Sequence, residues 1–161
     1  LLGEGQITKY VPIEGGYATE ANYLSGDVQF GDKAKMAIDA SIWVSGGSKV
    51  YKFTRGADDH FEISGLTGGP STGSGLGFGL IYTSASLDNI YVVDTTNSAL
   101  LVIGKDGNYK RAYQSGEFAK ATGIVVNDSE DTMYVSSGAK ILEAKLLKSA
   151  EALLIASGEK L

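Results

Sequence analysis

One hairpin pattern occurs three times in this chain, and it restricts the fold more than any other feature. The segments IWVSGGSKVYKF, from Ile42, and MYVSSGAKILEA, from Met133, align without gaps. Between them IYVVDTTNSALLVI, from Ile90, has the same pattern with a slightly longer turn. The three segments start 48 and 43 residues apart, and internal repeats of this length are typical of stacked or circular repeat folds.

Each hairpin is preceded by another short apolar run, and the first two hairpins are also followed by one. The runs are rich in β-branched and aromatic residues and are separated by Gly, Asn, Asp and Ser. This pattern predicts β-strands that are joined by tight turns. A unit of four antiparallel strands, repeated about every 45 residues, is typical of a β-propeller blade.

The sequence therefore predicts an all-β fold: a β-propeller section of about three four-stranded antiparallel blades, with a partial N-terminal blade and a short C-terminal helix. The helix is expected because leucine and alanine residues after residue 145 have helical spacing. The single domain would contain a partial blade and linker (1–34), blade A (35–66), a Gly-rich connector (67–77), blade B (78–116), blade C (121–147) and the helix (148–161).

The segment LDNIYVVDTTNSALLVIGKDGNYKRAY resembles a blade of the NHL-type propeller family. The matching positions are Tyr91, Val92, Asp94, Asn97 and the turn Asp106-Gly107, whereas Ser98-Ala99 stands where the family usually has Arg. The resemblance is clear over 78–146 and weaker over 35–66, and it extends to the C-terminal propeller portion of larger bacterial proteins of unassigned function. It implies a propeller fold, a bacterial origin and a tendency to bind partners or ligands, and it implies no single chemistry.

Three blades and a part of a fourth are too few to close a ring, since propellers have about four to eight blades. An open arc would expose apolar blade faces and unpaired strand edges. Either other copies of the chain complete the ring, as a homo-oligomer whose number of copies the sequence does not predict, or the chain is a piece of a longer protein. Repeated head-to-tail contacts between copies would give a ring or a filament.

Composition excludes several other classes of function. The net charge is −5 and there is no basic cluster, so we expect no nucleic-acid partner. The chain has no cysteine, which excludes disulfides and thiolate metal sites. No uncharged apolar run reaches the roughly 18 residues of a membrane span, and the sequence predicts no particular compartment.

Motifs of catalysis are present only as isolated fragments, so we expect no enzyme activity and no cofactor. Gly69-Pro70-Ser71-Thr72-Gly73 matches G-x-S-x-G, but the Gly-rich sequence after Ser71 disfavours the helix that a nucleophile elbow needs. The only histidine, His60, precedes Ser71 instead of following it. No phosphate-binding glycine motif is complete.

Oxygen ligands at strand ends leave a second function open, a ligand or cation site in a central channel. The candidate metal ligands are Asp39, Asp94, Asn127 and Asp128, because Ca²⁺ prefers carboxylate and amide oxygens. The alternative is that these side chains cap their own turns, as Asp and Asn commonly do.

Trp43, Tyr91 and Tyr134 occupy equivalent positions in the three hairpins. We expect them to pack between neighbouring blades, although aromatic rings around a channel are the alternative.

In the connector, Gly73, Gly75 and Gly77 predict either a mobile loop or a backbone that is kept thin so that another surface packs closely on it.

Overall fold

The computed structural model describes residues 2–3, 6–19, 22–31, 33–67, 69, 71 and 75–147, and this part of the chain is all-β. The C-terminal helix predicted over 148–161 and the connector residue Gly73 lie outside the described residues. One turn of 3-10 helix, Phe118–Lys120, lies in this part of the chain. The strands are β1 (Tyr10–Ile13), β2 (Gly16–Thr19), β3 (Lys35–Ile38), β4 (Ile42–Gly46), β5 (Lys49–Thr54), β6 (Ala57–Asp58), β7 (Phe78–Tyr82), β8 (Asn89–Asp94), β9 (Ala99–Gly104), β10 (Tyr109–Gln114), β11 (Ala121–Val126), β12 (Thr132–Ser137) and β13 (Lys140–Lys145).

The strands form four antiparallel sheets, and within each sheet the strands follow one another in chain order. They are the N-terminal hairpin (β1–β2), sheet A (β3–β6), sheet B (β7–β10) and sheet C (β11–β13). The prediction of an all-β fold with four-stranded antiparallel units is confirmed for sheets A and B. Sheet C has three strands in the described part of the chain.

The hairpins have the turn lengths that their sequences predict. In sheet A, Gly46 pairs with Lys49, and in sheet C, Ser137 pairs with Lys140, so both turns contain two residues. The first turn residues, Gly47 and Gly138, have φ angles of +60° and +59°, as tight hairpin turns require. The β8–β9 turn is longer, because Asp94 pairs with Ala99.

The fourth strand of sheet A differs from its prediction. The sequence favours a strand over residues 59–66, but β6 is only Ala57–Asp58. The backbone turns away at His60, whose φ is +52° and whose N–H donates to Asp58 Oδ1 at 2.8 Å. The chain then runs to sheet B, where Ser64 forms a parallel bridge with Asn108. The predicted position of this strand is therefore wrong.

The sheets pack face to face in a row, with a hydrophobic cluster between each pair of neighbours. Sheet B is in the middle, and all six residues of β9 are buried because both of its faces are covered. Alternate residues of each strand point to opposite faces, so neighbours in the sequence belong to different clusters. The main members are Ile7, Leu24, Phe30, Val44 and Phe53 before sheet A; Trp43, Val50, Ile90, Val92, Leu101 and Ile103 between A and B; and Tyr91, Val93, Leu100, Ile124, Met133 and Val135 between B and C.

No helix in the described ranges has the length and apolar content that crossing a membrane requires.

Candidate functional site

The equivalent aromatic residues have different surroundings in the three sheets. Trp43 is 0% exposed and packs towards sheet B, and Tyr91 is 2% exposed and packs towards sheet C. Tyr134 has the same position in sheet C, yet 41% of it is exposed. The packing that the sequence predicts for Tyr134 is therefore absent among the described residues, because no further sheet follows sheet C there.

The side of sheet C that faces away from sheet B is uncovered, and it carries exposed apolar side chains next to the polar Ser136 and Glu143. Val125 is paired with Tyr134, and Ser136 is paired with Ile141, which places these side chains on one face. Val125 and Tyr134 are exposed, and Ile141 is 79% exposed. We call this surface, formed by Val125, Tyr134 and Ile141, the open face of sheet C.

Sheet C also has an open edge. Its strand order is β11-β12-β13, so within the described residues β13 has a pairing partner on one side only. In sheet B the corresponding third strand, β9, is paired on both sides, with β8 and β10. An unpaired edge next to an exposed apolar face is a surface suited to association with another strand or sheet.

A carboxylate, Glu130, joins the loop ends of sheets B and C. Its Oε2 accepts hydrogen bonds from the Tyr91 hydroxyl, at 2.6 Å, and from the Asn89 side-chain amide. Its Oε1 accepts from the Asp88 backbone N–H. Burial alone would raise the pKa of Glu130, but these donors outweigh it and hold the pKa below its ordinary value. Burial and the adjacent carboxylate raise the pKa of the Tyr91 hydroxyl.

A second polar contact joins sheets A and B. Lys105 Nζ lies 2.8 Å from Asp39 Oδ2 and donates to the Ser84 carbonyl at 2.9 Å. Asp39 Oδ1 also accepts from the Ser41 N–H and from Trp43 Nε1. Burial would raise the pKa of Asp39, but Lys105 and these donors lower it overall. Each pair of neighbouring sheets is thus held by an apolar cluster and a charged contact.

The four candidate metal ligands do not form one site. Asp39 lies in the β3–β4 turn and Asn127 and Asp128 follow β11, whereas Asp94 ends β8 and therefore lies at the opposite end of the strands. Asn127 Oδ1 accepts from the N–H groups of its own turn, and Asp128 Oδ1 accepts from Ser86 Oγ at 2.6 Å. Over the described ranges no group of three or more His, Cys, Asp or Glu side chains could hold a metal ion. The contacts of Asp39, Asp94 and Asn127 with their own turns support the turn-capping alternative, whereas Asp128 contacts the neighbouring repeat.

Asp94 anchors the end of the connector to sheet B. Its buried carboxylate accepts hydrogen bonds from the Gly77 N–H at 3.1 Å and from the Asn97 side chain at 2.7 Å. The Gly77 carbonyl accepts from the Thr95 N–H at 2.9 Å, and a Cβ at Gly77 would overlap the side chain of Thr96. This part of the connector is therefore a thin backbone packed on its own sheet. Gly75 precedes it in open space.

The isolated catalytic motif residues have unrelated surroundings. Ser71 is buried, whereas the His60 side chain is largely exposed and lies 3.6 Å from Asp58. The two residues therefore do not share one environment.

No protein-family model matches the chain, and no curated protein sequence matches it. The features that bear on function are therefore structural: the open face of sheet C, the N-terminal hairpin and the contacts that join the sheets.

Sequence reasoning did not find the residues that link the sheets. Glu130 and Lys105 lie in loops, and each contacts a residue far away in the sequence that belongs to the neighbouring sheet: Tyr91 of sheet B for Glu130, and Asp39 of sheet A for Lys105. Their spacing carries no motif. The sequence gives one indication only: each charged residue lies in a loop of one repeat, and the preceding repeat contains a polar side chain that can bind it.

We expect Glu130→Gln to lower the free energy of unfolding at pH 7 by about 1–3 kcal/mol, because charge-assisted hydrogen bonds are lost at a half-buried position. The folded pKa of Glu130 lies below its ordinary value of 4.5, so the contribution of the carboxylate is full well above that pH and is lost as the pH falls below it towards the folded pKa. The difference between variant and wild type should shrink over that range. Urea unfolding at several pH values measures it.

The matched control is Glu62→Gln, since the side chain of Glu62 is exposed. We expect that variant to stay within about 0.5 kcal/mol of wild type at every pH. An equal effect of the two substitutions would show that Glu130 does not join sheets B and C in solution.

Proposed function

We propose that the chain is a non-catalytic structural and interaction module. In this proposal sheets A, B and C are consecutive blades of an incomplete NHL-like β-propeller arc. Other copies of the chain, or the rest of a longer protein, complete the arc. The observation that carries the proposal is the open face of sheet C, whose Tyr134 stands where Trp43 and Tyr91 are buried by a following sheet.

The stacking of the sheets supports this function. The cluster between A and B and the cluster between B and C use equivalent positions of the hairpin repeat. A repeat that is built to be covered on both faces needs a neighbour or a cap at each end. The row of sheets has such a cover before sheet A, from Ile7, Leu24 and Phe30. The other end of the row presents Val125, Tyr134 and Ile141 to solvent.

The test is the mass of the full chain in solution over a wide range of concentrations. If copies complete one another, sedimentation or light scattering should show a mass that rises above 16.9 kDa between about 1 µM and about 1 mM. If a longer protein completes the arc, the chain should remain at that mass and bind a hydrophobic dye at its open face. A monomer that binds no dye at any concentration contradicts both forms of the proposal.

A further inference from the structure

Exposed large hydrophobic side chains are concentrated at two places in the described part of the chain. Eight such residues are exposed there. Three belong to the open face of sheet C, and three belong to the N-terminal hairpin, at the far end of the row of sheets. Large apolar patches on a protein surface usually mark interaction sites. The three residues of the hairpin are Tyr10, Ile13 and Tyr17.

The N-terminal hairpin has an aromatic face of its own. Pro12 pairs with Tyr17, and Tyr10 is two residues from Pro12, so all three side chains lie on the same side of the hairpin. Among the described residues β1 and β2 pair only with each other. A lone two-stranded hairpin is marginally stable in water and gains stability when an apolar face packs on it.

The segments before and after the hairpin form a layer that covers the outer face of sheet A. Ile7 precedes the hairpin, and Leu24 and Phe30 follow it, and all three are buried against sheet A. The Tyr23 N–H donates to the Ile7 carbonyl at 2.7 Å, and the Ser25 N–H donates to the Gly56 carbonyl at 2.8 Å. One side of this N-terminal layer covers sheet A, while the hairpin that extends from it remains exposed.

We propose that the N-terminal hairpin of one copy packs on the open face of sheet C of a second copy. The inference rests on the proposed function, and it names the partner and both surfaces. Tyr10, Pro12 and Tyr17 of one copy lie against Val125, Tyr134 and Ile141 of the next. The layers of the assembly then continue in the same order from chain to chain: sheet C of one copy, N-terminal layer and sheet A of the next.

The path of the chain after β13 favours a second copy over the chain's own C-terminal residues as the occupant. Leu146 is buried in the cluster between sheets B and C. The Leu147 carbonyl accepts hydrogen bonds from Tyr113 Oη at 2.9 Å and from the Arg111 guanidinium at 3.1 Å, both of sheet B. At residue 147 the chain is therefore on the side of sheet C that faces sheet B, opposite to the open face.

The contact is heterologous, since it joins two different surfaces. Such a contact repeats from copy to copy and gives a closed ring or an open filament, according to the rotation per copy. It also makes a prediction that a symmetric dimer does not make. A copy with a damaged hairpin still has an intact sheet face, and a copy with a damaged face still has an intact hairpin.

The experiment uses two single variants of the full chain and their mixture. Ile141→Asp places a charge on the open face, and Tyr17→Asp places one on the hairpin. Both positions are exposed, so neither variant should unfold the chain. Each variant alone should self-associate at least about tenfold more weakly than wild type. The equimolar mixture should form one species of twice 16.9 kDa and nothing larger, because only one pair of intact surfaces remains.

Ile38→Asp, at an exposed apolar residue of sheet A, is the matched control and should associate as wild type does.

Three outcomes would overturn the inference. If the wild type never exceeds its monomer mass, self-association itself fails. If the wild type associates and Tyr17→Asp associates equally well, self-association stands but the hairpin is not the partner. If dilute, monomeric Ile141→Asp unfolds much more easily than wild type at unchanged mass, residues of the same chain cover the open face.

Discussion

Replacing Trp43 with alanine should lower the free energy of unfolding by about 3–5 kcal/mol, the usual cost of deleting a fully buried indole. Trp43 is 0% exposed and lies in the cluster between sheets A and B. Its ring meets Phe61 edge to face, with the centroids 5.1 Å apart, and its Nε1–H donates to Asp39 at 3.0 Å. Both the apolar contact and the hydrogen bond are lost in the variant. Urea unfolding, followed by the fluorescence of tyrosine or by circular dichroism, measures the change.

Two controls separate the causes of that loss. Trp43→Phe keeps an aromatic ring but removes the N–H donor, so it should cost about 1–3 kcal/mol. Tyr134→Ala removes the aromatic residue at the equivalent position of sheet C, and in dilute solution it should stay within about 0.5 kcal/mol of wild type. If Trp43→Ala costs no more than Tyr134→Ala, sheets A and B are not packed through this position in solution.

Local sequence was sufficient to predict most of the strands. The hairpin repeat is carried by neighbouring residues, so turn length and strand pairing follow from one short segment at a time. The two-residue turns at Gly47 and Gly138 and the four strands of sheet B are examples. The strand predicted over 59–66 failed because a local feature, the left-handed backbone at His60, directs the chain to the next sheet.

The candidate site depends on distant residues, which is why the sequence predicted it only in part. Trp43 and Tyr134 have equivalent sequence positions, and their burial differs because one has a sheet beside it and the other does not. Periodicity identifies which side of a strand is apolar, but it does not identify what covers that side. The contacts of Glu130 and Lys105 depend in the same way on how whole sheets align.

Gly107→Ala should lower the free energy of unfolding by about 2–4 kcal/mol, because it combines backbone strain with a steric overlap. Gly107 lies in the β9–β10 turn with φ at +91°, where a side chain is unfavourable. An added Cβ would overlap the carbonyl oxygen of Glu62. The segment that leads from sheet A to sheet B crosses the β9–β10 turn at this point, and its Ser64 N–H donates to the Gly107 carbonyl at 3.0 Å. The substitution should therefore also speed hydrogen exchange at Tyr109, whose N–H donates to the Ser64 carbonyl.

The repeat supplies a second test position and a control for this prediction. Gly56 has φ at +86°, and an added Cβ there would overlap the Tyr23 carbonyl oxygen, so Gly56→Ala should cost about as much as Gly107→Ala. Gly138 also has a positive φ, but its Cβ would point into open space, so Gly138→Ala should cost only about 1 kcal/mol. At both glycines an earlier segment of the chain crosses close to a turn. At Gly56 the N-terminal layer contacts sheet A, and at Gly107 the segment after β6 contacts sheet B. If all three substitutions cost the same, the loss comes from backbone strain alone, and the close crossings that hold the row of sheets together are absent in solution.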